Sequence, residues 1–218
     1  MIKIKNLSFS YSNLYYTLYN INLTIPNGGK IAIIGDDYSG KTTLLRTIVG
    51  LETPDEGQIY YGDKPIGQLN FKKDYNIGYI SYDSVFFEKK SVFYNLNYVL
   101  KIRGQKNKKE NQDKINQVLE QYKLINLQNE KIKNLTKFEE ILVQFARVGL
   151  RKEKIDIYVL NNIFKDLKEE QIQILSSYIN KLYTDKNIII LSANKQEQIK
   201  NLNMKKYYME LGSIKKGN

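Results

Sequence analysis

Two short stretches of this sequence carry residue types that could do chemistry. Residues 35–42 read "GDDYSGKT" and fit the pattern G-x-x-x-x-G-K-[ST]. Ahead of them "IAIIG" (31–35) is an apolar run ending in glycine, and behind them "KTTLLRTIVG" has helical spacing and stops at Gly50. A buried strand, a Gly-rich loop and a helix N-terminus together aim backbone N–H groups at phosphate oxygens. In such a loop Lys41 reaches the outer phosphates and the Thr42 hydroxyl faces Mg²⁺. Gly35, Asp37, Tyr38, Ser39, Gly40 and Thr43 complete the candidate binding set. The second stretch is "IYVLNN" (157–162). An apolar strand of this kind, late in a chain with a phosphate loop, normally ends in two acids. Asn161 and Asn162 keep the shape of Asp and Glu without their charge. An amide holds a water but accepts no proton at neutral pH, so Asn162 is no general base. Asn161 brings no negative charge to a metal shell.

The elements that must position these residues are legible from periodicity. "MIKIKNL" and "INLTI" (21–25) alternate as half-buried strands do, and "PNGGK" turns the chain between them and the phosphate-loop strand. "GQIYYGDKPI" and "YNIGYISYD" read as further strands around turns. From Ser91 to Leu150 the period is helical, in "VFYNLNYVLKI", "INQVLEQYKLI" and "EEILVQFARVGL". Then follow strand "IDIYVL", helix "EEQIQILSSYINKLY", strand "NIIILSA", a short helix from Lys195, and strand "KKYYMEL" ending at Gly212. With neither an internal repeat nor a long linker, the expected plan is one α/β nucleotide-binding domain over 1–218. Its core would comprise 1–83 and 151–218, interrupted by a helical lobe at 84–150.

Composition narrows the classes further. The chain has 218 residues, no Cys and no His, which removes disulfides, thiolate metal sites and the commonest general base. No apolar stretch approaches the ~20 residues that span a bilayer, and no signal-peptide pattern opens the sequence. The expectation is a soluble protein, or one peripheral to something in a membrane. Net charge is +11, from 34 basic and 23 acidic residues. The lysines scatter rather than form one stripe, so no nucleic-acid partner is expected. The densest cluster, "KIRGQKNKKENQDK" (101–114), reads as a solvated loop and helix start.

Over nearly its whole length the chain resembles the nucleotide-binding domain of ABC-type ATPases. "IKNLSFSY" is similar to that family's opening strand, and Tyr11 falls where its aromatic residue stacks on adenine; a core or edge-strand aromatic is the other reading. "LETPDEGQIYYGDKPI" resembles the segment after the Walker A helix, and "YYMELGSI" the closing strand and turn. The resemblance implies a P-loop NTPase core with an N-terminal antiparallel β part and an inserted helical lobe, binding ATP.

Several family positions are altered. Aligned by resemblance, Asn161 stands for the magnesium-associated Asp and Asn162 for the Glu that polarises water. Tyr82, in "YISYD", takes the place of the Q-loop Gln. In "LTKFE" (135–139) Lys137 and Phe138 replace glycines of the LSGGQ signature. Ala193 takes the place of the switch histidine, and Lys168 that of the D-loop Asp. Tyr38 replaces a glycine usual in the phosphate loop, and Asp37 adds negative charge near phosphates. Asp156 and Asp166 flank the strand, one before its apolar core and one past its end.

The resemblance implies an ATP-binding transporter subunit whose own hydrolysis is weak or absent, with Mg²⁺ held weakly through Thr42 or dispensable. It also implies a separate integral-membrane permease on whose cytoplasmic face the subunit sits, and a second, more complete ATPase subunit. Lys137 is a candidate to meet the γ-phosphate of that subunit's nucleotide. Phe86, Phe87, Phe93 and Tyr94 either face the permease or form the lobe's own core. Two other readings remain open: a regulatory or scaffolding pseudo-ATPase outside transport, and a working soluble ATPase acting on nucleic acid.

Overall fold

The computed structural model describes residues 1–12, 15–69, 76–151 and 154–217. The chain divides into two compact units, Met1–Tyr79 with Ile155–Asn218, and Ile80–Lys154. Tyr75, at the head of the stretch read as "YNIGYISYD", lies outside the described residues.

The first unit begins with strands β1 (Ile2–Phe9), β2 (Leu18–Ile25) and β3 (Lys30–Ile34), then helix α1 (Lys41–Ile48), then β4 (Glu56–Tyr61) and β5 (Lys64–Pro65). Four of these strands form an antiparallel sheet in the order β2-β1-β4-β5. Alternation in β1 buries Ile2 and Ile4, then slips. Asn6 has φ 48°, the pairing register shifts between Ile4 and Leu7, and Leu7, Ser8 and Phe9 are all buried beyond it. An inserted left-handed residue of this kind bends the strand and re-aims its side chains.

A second sheet holds the site. Its strands run in the order β10 (Ser213–Lys216), β9 (Lys205–Glu210), β3, β8 (Ile188–Ala193), β7 (Ile157–Asn161) and β6 (Ile77–Ser81). β3 lies parallel to both β8 and β9, and β7 parallel to β8. Every residue of β7 and β8 is buried, which is why these strands read as unbroken apolar runs rather than alternating ones. Leu44, Leu45 and Ile48 of α1 share one core cluster with Ile2 and Ile4, Ile31 and Ile33, and Val159 and Ile190. α1 ends where Gly50, at φ 75°, donates to Thr47 O and Leu51 donates to Arg46 O. The unit also contains helix α5 (Glu169–Leu182), and the short helix expected from Lys195 is the 3₁₀ turn Gln196–Ile199.

The second unit is built from α2 (Val92–Ile102), α3 (Lys108–Gln121) and α4 (Lys137–Gly149). Leu96, Leu100, Ile115, Leu119, Ile141 and Phe145 are fully or almost fully buried in it. Each helix starts on a polar cap. The Tyr94 N–H donates to Ser91 Oγ at 3.1 Å, and the Glu110 N–H donates to Asn107 Oδ1 at 3.2 Å. At α4 a reciprocal box joins Thr136 and Glu139. α3 therefore begins well before Ile115, where apolar periodicity first shows, because its first turns are wholly polar and start from the Asn107 cap.

Candidate nucleotide site

Parallel strands deliver their C-terminal ends to one edge of the sheet. The loop after β3, the end of β7 and the end of β8 meet there, all within the first unit. Gly40 caps α1 with φ 101°, and a Cβ on it would come within 2.8 Å of Thr17 O and 2.9 Å of Met209 Cε. Only glycine fits. The helical ladder starts with the Leu44 N–H donating to Gly40 O at 2.9 Å. The amides of Lys41, Thr42 and Thr43 precede that ladder, as an anion site requires. Tyr38 has φ 66° and its ring is fully exposed. A glycine is natural at such a backbone position; tyrosine is accommodated by pointing outward.

Lys41 is buried, and its ammonium donates to Gly35 O and Asp36 O, both at 2.6 Å, and to Ser39 Oγ at 3.2 Å. Burial pulls its pKa below the ordinary lysine value, Asp37 and Asp36 pull it back up, and Lys165 pushes it down again. The Gly35 N–H donates to Ala193 O at 3.2 Å, which ties the loop to β8. Thr43 Oγ1 lies 3.5 Å from the Tyr11 hydroxyl. The Tyr11 ring stands edge-on to Phe9 at 4.7 Å between centroids, yet most of it is exposed. The free amides, the Gly40 cradle and Lys41 fit a nucleotide's phosphates, and the exposed Tyr11 ring lies beside them.

Asn161 joins three elements. It is 2 % exposed, and its Oδ1 accepts from Thr42 Oγ1 at 3.2 Å and from Ser192 Oγ at 3.0 Å. Its Nδ2 donates to the Tyr79 hydroxyl at 3.3 Å. The Asn162 N–H donates to the same Ser192 Oγ at 2.9 Å, with Asn162 in the left-handed region at φ 53°. Neither flanking acid substitutes for these amides. Asp156 lies at the opposite end of β7, where its carboxylate accepts from the Asn76 N–H at 2.9 Å. Asp166 is exposed and past the strand end. A divalent cation needs anionic oxygen donors, and Mg²⁺ in nucleotide sites is held through one or two carboxylates with phosphates and waters. Here the two protein oxygens that would face it are uncharged and bonded to each other. Among the described residues no acidic cluster could hold a metal. Thr42 and Asn161 therefore offer Mg²⁺ neutral oxygens where a carboxylate is the stronger donor.

At the end of β8, Ala193 is buried and offers only a methyl group. The following residue contributes instead: Asn194 Nδ2 donates to Asp37 Oδ1 at 3.0 Å. Lys165 Nζ, from the loop after β7, lies 3.7 Å from Asp37 Oδ2. The acidic charge that the phosphate loop acquires at Asp37 is thus balanced by neighbours. No local pattern marks Ser192, Asn194 or Lys165 as site residues. Each is recognisable only once the strands are side by side.

In the second unit, Lys137 does not project from the start of α4. Its ammonium pairs with Glu140 Oε2 at 2.7 Å, donates to Tyr82 O at 3.4 Å and lies 4.9 Å from the centre of the Tyr82 ring. The reading of Lys137 as a waiting phosphate ligand therefore starts from a side chain already engaged. Phe138 follows it in the first turn, half-buried. In the first unit Lys168 heads α5, its N–H donating to Gln171 Oε1 at 2.9 Å.

A glycine-rich loop opening a helix at the edge of a parallel sheet defines a P-loop nucleotide-binding domain. A family model described as "ABC transporter" matches residues 18–158, and the chain belongs to that family, as an ABC transporter nucleotide-binding domain. It is 43 % identical over 86 residues to the sulfate/thiosulfate import ATP-binding protein CysA of Brucella melitensis, covering 39 % of this chain and 24 % of that protein. With the CysA of Pseudomonas aeruginosa it shares 37 % over 102 residues, 47 % of this chain and 30 % of that protein. The chain thus matches less than a third of the length of these relatives. Among solved structures, MJ1267, an ATP-binding cassette of an ABC transporter in its ADP conformation, superposes with TM-score 0.79 at 20 % identity, covering 100 % of this chain and 91 % of that one. The ATP-binding cassette MJ0796, in a dimeric post-hydrolysis state with ADP and Pi, gives TM-score 0.80 at 21 % identity, covering 99 % and 98 %. The fold is that of ABC ATPase cassettes.

Proposed function

We propose that this chain is the ATP-binding subunit of an ABC transporter that holds nucleotide with little or no hydrolysis of its own. The observation that carries the reading is the Asn161 amide, buried and spent on Thr42, Ser192 and Tyr79. Next to it Asn162 has no group that takes a proton from water, and Tyr82 and Ala193 supply neither the amide nor the imidazole usual at their positions. Losing a general base alone costs ~10²–10⁴-fold in rate, and coupled losses need not multiply.

By the family's pattern the subunit works with a separate membrane permease, on its cytoplasmic face, and beside a second ATPase whose strand end carries both acids. No helix among the described residues is long and apolar enough to cross a membrane. The permease contact is supported by an exposed aromatic group: Phe87 stands edge-on to Tyr94 at 5.7 Å and to Tyr98 at 4.8 Å. Aromatic clusters of this kind favour interfaces. Phosphate release by the purified chain is expected to equal that of Lys41→Ala. Mg²⁺-dependent turnover abolished by Lys41→Ala overturns the reading of hydrolysis. Purification from native membranes is expected to bring down a permease and a second ATPase, and a homodimer with permease alone overturns the pairing.

A further inference from the structure

We propose that Lys165 is a phosphate-binding residue of this site, supplying from the protein the positive charge that a divalent cation would bring to the outer phosphates. The inference rests on the nucleotide-binding reading above and adds to it a metal-free mode of binding.

The end of β7 gives the first reason. With Asn161 neutral and bonded to Thr42 Oγ1, nothing anionic is left there to hold a cation against the phosphates. The outer phosphates of a nucleoside di- or triphosphate nevertheless need compensating charge, and Lys41 supplies a single unit of it.

The backbone that carries Lys165 gives the second. Ile163 and Phe164 are buried at 0 % and 1 % exposure, Gln198 Nε2 donates to Phe164 O at 3.2 Å, and the Lys165 N–H donates to Asn162 O at 3.0 Å. Left-handed residues at Asn162 (φ 53°) and Asp166 (φ 58°) bracket the segment. The turn is anchored on both sides, so the Lys165 stem leaves the backbone from a fixed point beside the phosphate loop.

The third reason is where that stem ends. Its ammonium lies 3.7 Å from Asp37 Oδ2, a loop carboxylate whose other oxygen accepts from Asn194. The loop that carries Asp37 is the one on which the Lys41 ammonium is held, by Gly35 O, Asp36 O and Ser39 Oγ. The loop thus has an ammonium on either side of it, Lys41 and Lys165, against its own carboxylates Asp36 and Asp37, and an arriving phosphate displaces the Asp37 contact to reach the second ammonium. The Asp37 contact is half-exposed and long for an ion pair, and such pairs are weak. A phosphate group, with more charge and several acceptor oxygens, competes for the ammonium, and Asp37 holds the lysine near the loop until it does.

The test is calorimetric titration of the full chain with ATP, in EDTA and in excess MgCl₂, on wild type, Lys165→Met and Lys165→Arg, with thermal denaturation of each variant as the folding control. Wild type is expected to bind with affinities within about threefold of each other in the two buffers. In EDTA, Lys165→Met is expected to weaken binding about tenfold or more, the scale of one charge-assisted contact, while Lys165→Arg retains most of it. If wild type binds in EDTA and Lys165→Met binds equally well, the role of Lys165 is refuted while nucleotide binding stands. If wild type binds only with Mg²⁺, metal-free binding is refuted. No heat from wild type at millimolar ATP in either buffer refutes the nucleotide-binding reading itself.

Discussion

Replacing Asn161 by Asp restores the residue usual in the family, and the structure says what it does when nothing else is changed. The side chain is 2 % exposed, so the new carboxylate is taken almost wholly out of water. Desolvation of a buried ion costs several kcal/mol after relaxation. Two hydroxyl donors, Thr42 Oγ1 and Ser192 Oγ, already face the position. Charge strengthens each of those bonds by about 1 kcal/mol, so they recover about 2 kcal/mol. The Nδ2 bond to the Tyr79 hydroxyl is lost, and that hydroxyl must turn round to donate. The net expectation is a loss of about 2 kcal/mol, or about 4–8 °C in melting temperature for a domain of this size. Mg²⁺ should reverse part of it, because a ligand present at about ten times its Kd returns about 1.4 kcal/mol. Thermal denaturation of wild type and Asn161→Asp in EDTA and in MgCl₂ measures both effects. A variant as stable as wild type in EDTA, with no response to Mg²⁺, refutes the argument that neutrality at residue 161 is what stabilises this junction.

Tyr38→Gly is expected to stabilise the chain by about 0.5–1 kcal/mol in denaturant titration, since it relieves a left-handed φ of 66° and gives up no burial; a loss of stability contradicts this. Thr136→Ala removes the cap of α4 and is expected to cost about 1 kcal/mol, with faster hydrogen exchange confined to that helix's first turn; unchanged exchange contradicts it. Lys41→Met bears on pH. Because burial lowers the Lys41 pKa in the folded chain, the folded state sheds its proton before the unfolded state does. Lys41 therefore carries a stability penalty below its folded pKa that is relieved as pH rises from there towards the ordinary lysine value of 10.5. Subtracting the Lys41→Met stability curve from the wild-type one should leave a rise across that alkaline window, and a flat difference is the contrary result.

How far this protein is legible in its sequence depends on the range of the interaction. The phosphate loop is local: strand, loop and helix follow one another, so spacing alone positions Gly40, Lys41 and Thr42. Alternation exposes the antiparallel strands until Asn6, where a left-handed residue shifts the period in a way no alternation rule anticipates. The all-polar start of α3 escapes apolar periodicity, because Asn107 rather than a buried face begins that helix. The two amides at 161 and 162 are visible as residue types. What Asn161 does with its amide is not, since its hydrogen bond to Thr42 spans 119 residues of sequence. Asp37 illustrates the same limit from the other side. As sequence it is an unwelcome charge among phosphates; as structure it is the acceptor that gathers Asn194 and Lys165.

The junction at Asn161 has a consequence for how a ligand would be received. Amide, two hydroxyls and a phenol carry no formal charge, so salt has little to screen. In a strand end built from carboxylates, mutual repulsion is relieved only when a cation arrives, and part of the binding free energy goes into drawing the walls together. Here the walls are joined by the protein's own neutral contacts. Whatever enters meets a preorganised floor, and the affinity that would have been consumed in ordering it remains available for holding the ligand.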